Sequence, residues 1–283
     1  MTIREAYQRG KHRLAGAGVP EADLDAWLLL EYVTGIGRAA YYADETKALT
    51  AEQIERYDHC IEQRAGRIPL QHITGVQEFM GLSFRVNEHV LIPRQDTECL
   101  VEEAADILFN IGKKQPDGGK VLDMCTGSGC ILISLMKRHK ISDGVGADVS
   151  ADALVLAGKN ASDHGVTADF IHSDLFQNIT GEFDLIVSNP PYIPSGVIAG
   201  LQQEVGQYDP LIALDGKTDG LHYYRRIIAE SPAHLKKSGW LLLEIGFDQA
   251  EAVQELMAAG GFKDITVTAD LSGLDRVVRG SVQ

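Results

Sequence analysis

Two hydrophobic periods divide this chain. Up to about residue 75 the apolar positions recur at helical spacing. In Pro20–Tyr32 (PEADLDAWLLLEY), Leu24, Trp27, Leu28 and Tyr32 fall on one helical face, which predicts an amphipathic helix with that stripe buried. Thr50-Ala51-Glu52-Gln53 has the form of a capping box and opens a second helix, with Ile54, Tyr57 and Ile61 as its buried stripe. Around Gly75 the period changes. Leu82, Phe84 and Val86 alternate with Ser83, Arg85 and Asn87, and Gly75 and Gly81 punctuate the run, which predicts a β-hairpin. From Lys120 onward strand and helix patterns take turns. VLDMC, GVGADV, ADFIHSD, FDLIVSN, WLLLEIGF, ITVTADL and DRVVRG read as strands, separated by helical patterns such as ILISLMKRH, ADALVLAGKNASDHG, LHYYRRIIAESPAHLKK and DQAEAVQELMAAG. Such alternation predicts an α/β domain with a largely parallel sheet and helices on both faces. The last two strands have no helix between them and are expected to pair antiparallel at one edge. The expected organisation is a helical domain over 1–75, a hairpin linker over 76–92 and a seven-stranded α/β domain over 93–283.

Composition narrows the class. With 283 residues, 45% of them hydrophobic and 23% charged, the chain suits a globular protein of one large or two unequal domains. The start, MTIREAYQRGKHR, is charged and lacks an apolar h-region, and no run reaches the roughly 20 residues of a membrane span, so a cytoplasmic protein is expected. Cys60, Cys99, Cys125 and Cys130 show neither CxxC spacing nor an adjacent His pattern, so no zinc site or disulfide framework is expected. The net charge of −14 speaks against a grip on phosphate backbone and for a protein partner.

The candidate chemistry lies at strand ends, where open α/β sheets bind ligands. After VLDMC comes Cys125-Thr126-Gly127-Ser128-Gly129, a turn whose glycines let backbone approach a ligand at a helix N-terminus. The third glycine of a dinucleotide fingerprint would fall at Leu132, and its absence counts against NAD. Asp148 closes the next strand about 20 residues on, where a carboxylate can accept both ribose hydroxyls. Asp174 and Leu175 come after the third strand and suit an adenine amine and ring. Singly, each reads as a helix cap or turn residue. In order on consecutive strand ends, they describe S-adenosylmethionine on a methyltransferase sheet.

The fourth strand end carries Asn189-Pro190-Pro191-Tyr192. Proline fixes φ and donates no N–H, so the pair stops the strand and holds the adjoining residues rigid. The Asn189 side-chain oxygen and the Pro190 carbonyl can accept the two N–H bonds of a conjugated NH2 group, and Tyr192 offers a flat wall. Catalysis is then positioning plus polar stabilisation, with no strong general base. The motif alone leaves open whether the nitrogen belongs to an amide or to a nucleobase. Cys125 as a nucleophile is disfavoured, because nothing supplies a paired base.

The tetrad together with LIPRQDTE (Leu91–Glu98), DMCTGSGC (Asp123–Cys130) and YDPLIALDGKTDGLHYYRRII (Tyr208–Ile228) resembles the HemK family of protein-glutamine methyltransferases. RAGRIPLQHITG (Arg64–Gly75) and EFMGLSFRVNEHV (Glu78–Val90) extend the resemblance over nearly the whole chain. It implies a class I S-adenosylmethionine-dependent, Rossmann-like sheet. The activity it implies is methylation of the side-chain amide of the glutamine in the Gly-Gly-Gln loop of class I peptide release factors, an event of translation termination. By position it implies cofactor contacts at Cys125–Gly129, Asp148, Asp174, Leu175 and Asn189, substrate contacts at Asn189, Pro190, Pro191 and Tyr192, and Arg94 and Thr97 near the cofactor. Gln95 stands where many relatives have Pro, and Cys125 where Gly is common. Two other readings are base-amine methylation in DNA or RNA and a non-catalytic cofactor-binding scaffold at the ribosome.

Overall fold

The structure, a computed structural model, describes residues 1–115 and 117–283 and divides them into two compact units. The first comprises Met1–Val76 and Gln202–Tyr208. Its helices are α1 Ile3–Gly16, α2 Ala22–Thr34, α3 Arg38–Ala43, α4 Ala51–Ala65 and α5 Leu70–Thr74. The Thr50 box forms as expected, with the Thr50 hydroxyl accepting from Gln53 N and the Gln53 side chain accepting from Thr50 N. The stripe read along α2 does not hold. Leu24 and Tyr32 are exposed, and the buried face is Ala22, Asp25, Ala26, Leu29, Leu30 and Val33, with Trp27 beside it. The helix is apolar almost all round, so its period alone does not choose a face, and Asp25, one of its acidic residues, is buried. Asp25 Oδ2 accepts from Arg64 Nε of α4 at 2.7 Å, both side chains being less than a tenth exposed. Arg64 and Arg67 also hold Glu204, at 3.0 Å and 2.6 Å. Burial pushes the Glu204 carboxyl up, but the hydrogen bonds from Arg67 and Arg64 prevail and hold it at about 2.

The second unit comprises Gln77–Leu201 and Asp209–Gln283. Strands β1 Val76–Phe79 and β2 Leu82–Arg85 form the expected hairpin. Phe79 and Phe84 are buried among Leu100, Val101 and Leu135, so the hairpin packs into this unit rather than standing free as a linker. Then come α6 Glu98–Gly112, β3 Gly119–Met124, α7 Cys130–Arg138, β4 Ile141–Asp148, α8 Ala151–Asp163, β5 Asp169–His172 and β6 Phe183–Ser188. Three short helices, α9 Ser195–Ile198, α10 Gln203–Tyr208 and α11 Leu211–Leu214, precede α12 His222–Glu230, β7 Leu235–Glu244, α13 Ala250–Ala259, β8 Lys263–Ala269 and β9 Asp275–Ser281. Of these, α10 lies in the first unit.

The seven-stranded sheet has the order β5-β4-β3-β6-β7-β9-β8. Pairs from β5 to β7 are parallel, and β9 runs antiparallel to both its neighbours. The expected antiparallel pair is present, but its later strand, β9, sits inside and β8 takes the edge. Side chains alternate between two cores, as the strand period requires. Leu185 and Val187 of β6 and Leu242 of β7 face α6 and α7, whereas Ile186, Leu241 and Leu243 face α12 and α13. Strand order reverses at β3 and β6, which places the open crevice beyond their carboxyl ends.

Candidate active site

A cleft of about 240 Å³ lies at that crevice, within the second unit. Its first wall is the loop after β3. Asp123 is fully buried, and its Oδ2 accepts from Thr126 Oγ1 at 2.6 Å and from Leu132 N at 3.3 Å, tying the loop to the first turn of α7. Burial pushes this carboxyl up to about 7. Cys125 adopts a left-handed φ of 63°, which is strained for a residue with a Cβ. Burial, then the charge of Asp148, raises its thiol well above the ordinary range. A thiol raised in this way disfavours the thiolate that nucleophilic attack would require.

Asp148, at the end of β4, is the second wall. Its Oδ2 accepts from Gly127 N and its Oδ1 from Ser150 N, each at 2.9 Å, so the carboxylate is locked and each oxygen keeps a lone pair for a ligand. Burial raises its pKa against these backbone donors. After β5, Leu175 sits at φ 50°, held by Ser173, whose hydroxyl donates to Leu175 O at 2.5 Å. Asp174 Oδ1 accepts from Arg226 Nη1 of α12 at 2.8 Å.

The fourth wall is the corner after β6. Ser188 Oγ donates to Met124 O at 2.7 Å, binding the two strand ends together. Asn189 Nδ2 donates to Thr97 Oγ1 at 3.3 Å. Pro190 and Pro191 are buried. The half-buried Tyr192 packs against the core, and burial pushes its phenol up to about 12. Behind this corner runs the Asp215–Gly220 loop. Ile193 N donates to Leu214 O at 3.0 Å, Gly216 N donates to Ile193 O at 2.8 Å, and Gln249 Nε2 donates to Tyr192 O at 3.0 Å. A Cβ on Gly220 would lie 2.3 Å from Tyr192 O and one on Gly216 2.8 Å from Tyr192 Cα, so both glycines are required by close approach. Gly220 also sits at φ +75°. Gly220→Ala is expected to destabilise the fold on the order of 1–3 kcal/mol. It should also displace the corner and lower turnover about 10-fold to 100-fold. Calorimetry and a transfer assay check this, and an unchanged melting temperature would refute the packing role.

Of the residues singled out in the sequence, Cys125, Thr126, Gly127, Ser128, Asp148, Asp174, Leu175, Asn189 and Pro191 line this one cleft, together with Arg94 and Thr97. Gly129, Pro190 and Tyr192 lie behind the lining. Arg94 donates to the buried Asp209 at 2.6 Å, which anchors the LIPRQDTE segment. His89, Val90, Ile212, Tyr223 and Arg226 also line the cleft and were not read from the sequence. Only tertiary contacts bring them there. Val86 and Val90, for example, pack on Ala153 and Leu156 of α8. Among the described residues, no group of His, Cys, Asp and Glu could hold a metal ion, and the four cysteines are free.

Residues 5–75 match the PrmC N-terminal domain family, and residues 99–204 match the methyltransferase small domain family. A release factor glutamine methyltransferase of Geobacter sulfurreducens is 41% identical over 99% of this chain and 97% of its own length. One from Caulobacter vibrioides is 38% identical over 99% and 96%. Among solved structures, a 16S rRNA N2 G1207 methyltransferase of T. thermophilus, in complex with AdoMet and guanosine, superposes with a TM-score of 0.50 at 17% identity. That match covers 74% of this chain and 50% of the other, and it bears on the fold alone. With identity near two residues in five along almost its full length, the chain belongs to the release factor glutamine methyltransferase family.

Proposed function

We propose that this protein transfers the methyl group of S-adenosylmethionine to the side-chain amide nitrogen of the glutamine in the Gly-Gly-Gln loop of class I peptide chain release factors. The observation that carries the reading is the Asn189 corner. It is a diproline turn at the end of a central strand, braced from behind by Gly216 and Gly220, with its one amide side chain in the cleft wall.

The cleft residues fit the cofactor. Gly127 has nothing within 4 Å of where a Cβ would stand, so its backbone is open on that side. Asp148 presents a carboxylate held by two backbone donors and suits the ribose hydroxyls. Leu175 suits the adenine ring, and Asp174, paired with Arg226, suits its amine. Bound there, S-adenosylmethionine supplies an activated methyl group on a sulfonium. The chain's own part is to prepare the nitrogen. Asn189 Oδ1 and the Pro190 carbonyl accept the two N–H bonds of the substrate amide and so hold its nitrogen lone pair facing the methyl to be transferred. The prolines keep those acceptors from drifting. The phenol of Tyr192, pushed up to about 12, stays neutral, and its ring backs the corner from behind the cleft lining. No side chain is needed as a strong base, because a methylated amide nitrogen gives its proton readily to water.

In this reading the helical domain, residues 1–75, recognises the release factor, a task that free glutamine would not require. The net charge of −14 fits a protein partner rather than a polynucleotide. The protein works in the cytoplasm, and none of its described helices is long and apolar enough to cross a membrane. The test is incubation with methyl-labelled cofactor and a release factor, then peptide mass mapping. Label on the Gly-Gly-Gln glutamine is the expected result. Label on RNA, with none on that peptide, would overturn the assignment.

A further inference from the structure

Strand β7 ends on Glu244, a residue with no part in binding the cofactor or holding the amide. The β6–β7 register pairs Ser188 with Leu243, so Asn189 and Glu244 are the next residues along adjacent parallel strands. Glu244 is 1% exposed, its carboxyl faces the Thr97 hydroxyl and the Asn189 amide, and its Oε2 has no hydrogen-bond partner among the described residues. A buried carboxyl with an unused oxygen is costly, and an apolar residue of similar volume would be cheaper at this point. Thr97 stands at the N-cap of α6, yet its hydroxyl makes no capping bond. It accepts from Asn189 Nδ2 at 3.3 Å instead, which leaves its own proton for Glu244.

The orientation of Asn189 is set by this donor count. With its NH2 turned back toward Thr97 and Glu244, Asn189 has only Oδ1 left for the cleft. Flipped by half a turn, the side chain would set its oxygen against a carboxylate and offer its NH2 to the substrate's NH2, donor against donor. We propose that Glu244, acting through Thr97, is a positioning residue that selects the orientation of Asn189 able to accept the substrate amide. This rests on the reading of Asn189 as that acceptor.

The carboxyl interacts electrostatically with the Arg276 guanidinium, which itself pairs with Asp270 and Asp96, with the Asp96 carboxylate, with the Tyr192 and Tyr224 phenols, and with the Cys99 and Cys130 thiols. Burial pushes Glu244 up to about 7, against the hydrogen bond from Thr97 and the charge of Arg276. As pH falls through that value the carboxyl gains a proton, can donate to the flipped Asn189, and no longer discriminates. Turnover should therefore show an acid limb near neutrality.

The experiment compares wild type, Glu244→Gln, Thr97→Val, Thr97→Ser and Asn189→Ala on a release factor across pH. Glu244→Gln is expected to lower kcat about 10-fold to 100-fold and to lose the acid limb. Its affinity for adenosylhomocysteine and its KM for the methyl donor should stay unchanged. Thr97→Val should fall similarly, and Thr97→Ser, which keeps the hydroxyl, should be rescued. Wild-type kcat with an intact acid limb in Glu244→Gln overturns the proposal. Should that variant fail to fold, equal kcat for Thr97→Val and Thr97→Ser overturns it. An inactive Asn189→Ala beside a normal Glu244→Gln sinks only the role of Glu244. An active Asn189→Ala removes the acceptor reading and this proposal with it.

Discussion

Asn189→Ala should lower kcat for glutamine methylation by about 10²–10³-fold, the usual cost of removing one preorganised polar contact to the reacting group. Stability should hardly move. The side chain is only half-buried and gives up one hydrogen bond, to Thr97, worth about 1 kcal/mol. Asn189→Asp should be nearly as inactive, although it keeps an oxygen in place. Its second oxygen would replace the NH2 that faces Thr97 and Glu244, setting one carboxylate against another. Single-turnover transfer to a release factor, with melting temperature recorded alongside, separates lost chemistry from lost fold. Turnover within a few-fold of wild type in Asn189→Ala would show that the corner does not hold the reacting nitrogen.

The second large effect lies in the helical unit. Asp25→Ala should cost about 3–5 kcal/mol, because it strands the buried Arg64 guanidinium beside a new cavity. The remaining partners of Arg64, Glu204 Oε1 and the Ile68 carbonyl, place the value toward the lower end of that range. Asp25→Leu combined with Arg64→Met removes both charges and should recover much of the loss, since Glu204 keeps Arg67. Trp27, 3% exposed on the same helix, reports locally in urea once the other tryptophan, Trp240, is replaced by Phe. A loss below about 1 kcal/mol would show that the pair is decorative.

The pH response of stability has a definite sign in each unit. Because the Glu204 carboxyl is held at about 2, below its ordinary 4.5, the stability it contributes is present above 4.5 and is lost as pH falls through 2. Asp123 and Glu244, both pushed up to about 7, act the other way. Their contribution is present below their ordinary values and is lost as pH rises through 7.

What the sequence settled by itself was whatever is encoded over a few residues. Strand period and helix period alternate in register with the turns, so the α/β class and all seven strands of the sheet were legible. The capping box at Thr50 was legible because both partners lie three residues apart. The candidate ligand residues were legible because a parallel sheet delivers every strand end to one side, and short motifs mark those ends. The tertiary structure alone decided the rest, where partners are distant in the chain. The wet face of α2 was misread because Asp25 is paired in the core with Arg64, thirty-nine residues away. Gln202–Tyr208 joins the helical unit through Glu204, more than 130 residues beyond the arginines that hold it. Strand β9 enters beside β7 and leaves β8 at the edge, a choice between two antiparallel arrangements that local pattern does not distinguish. Thr97, Asn189 and Glu244 sit in three separate motifs, and only the pairing of β6 with β7 and the packing of α6 bring them within reach of one another. Period and propensity act between neighbours in the chain, whereas the pairing of a buried charge or the aim of an amide depends on groups that meet only after the chain has folded.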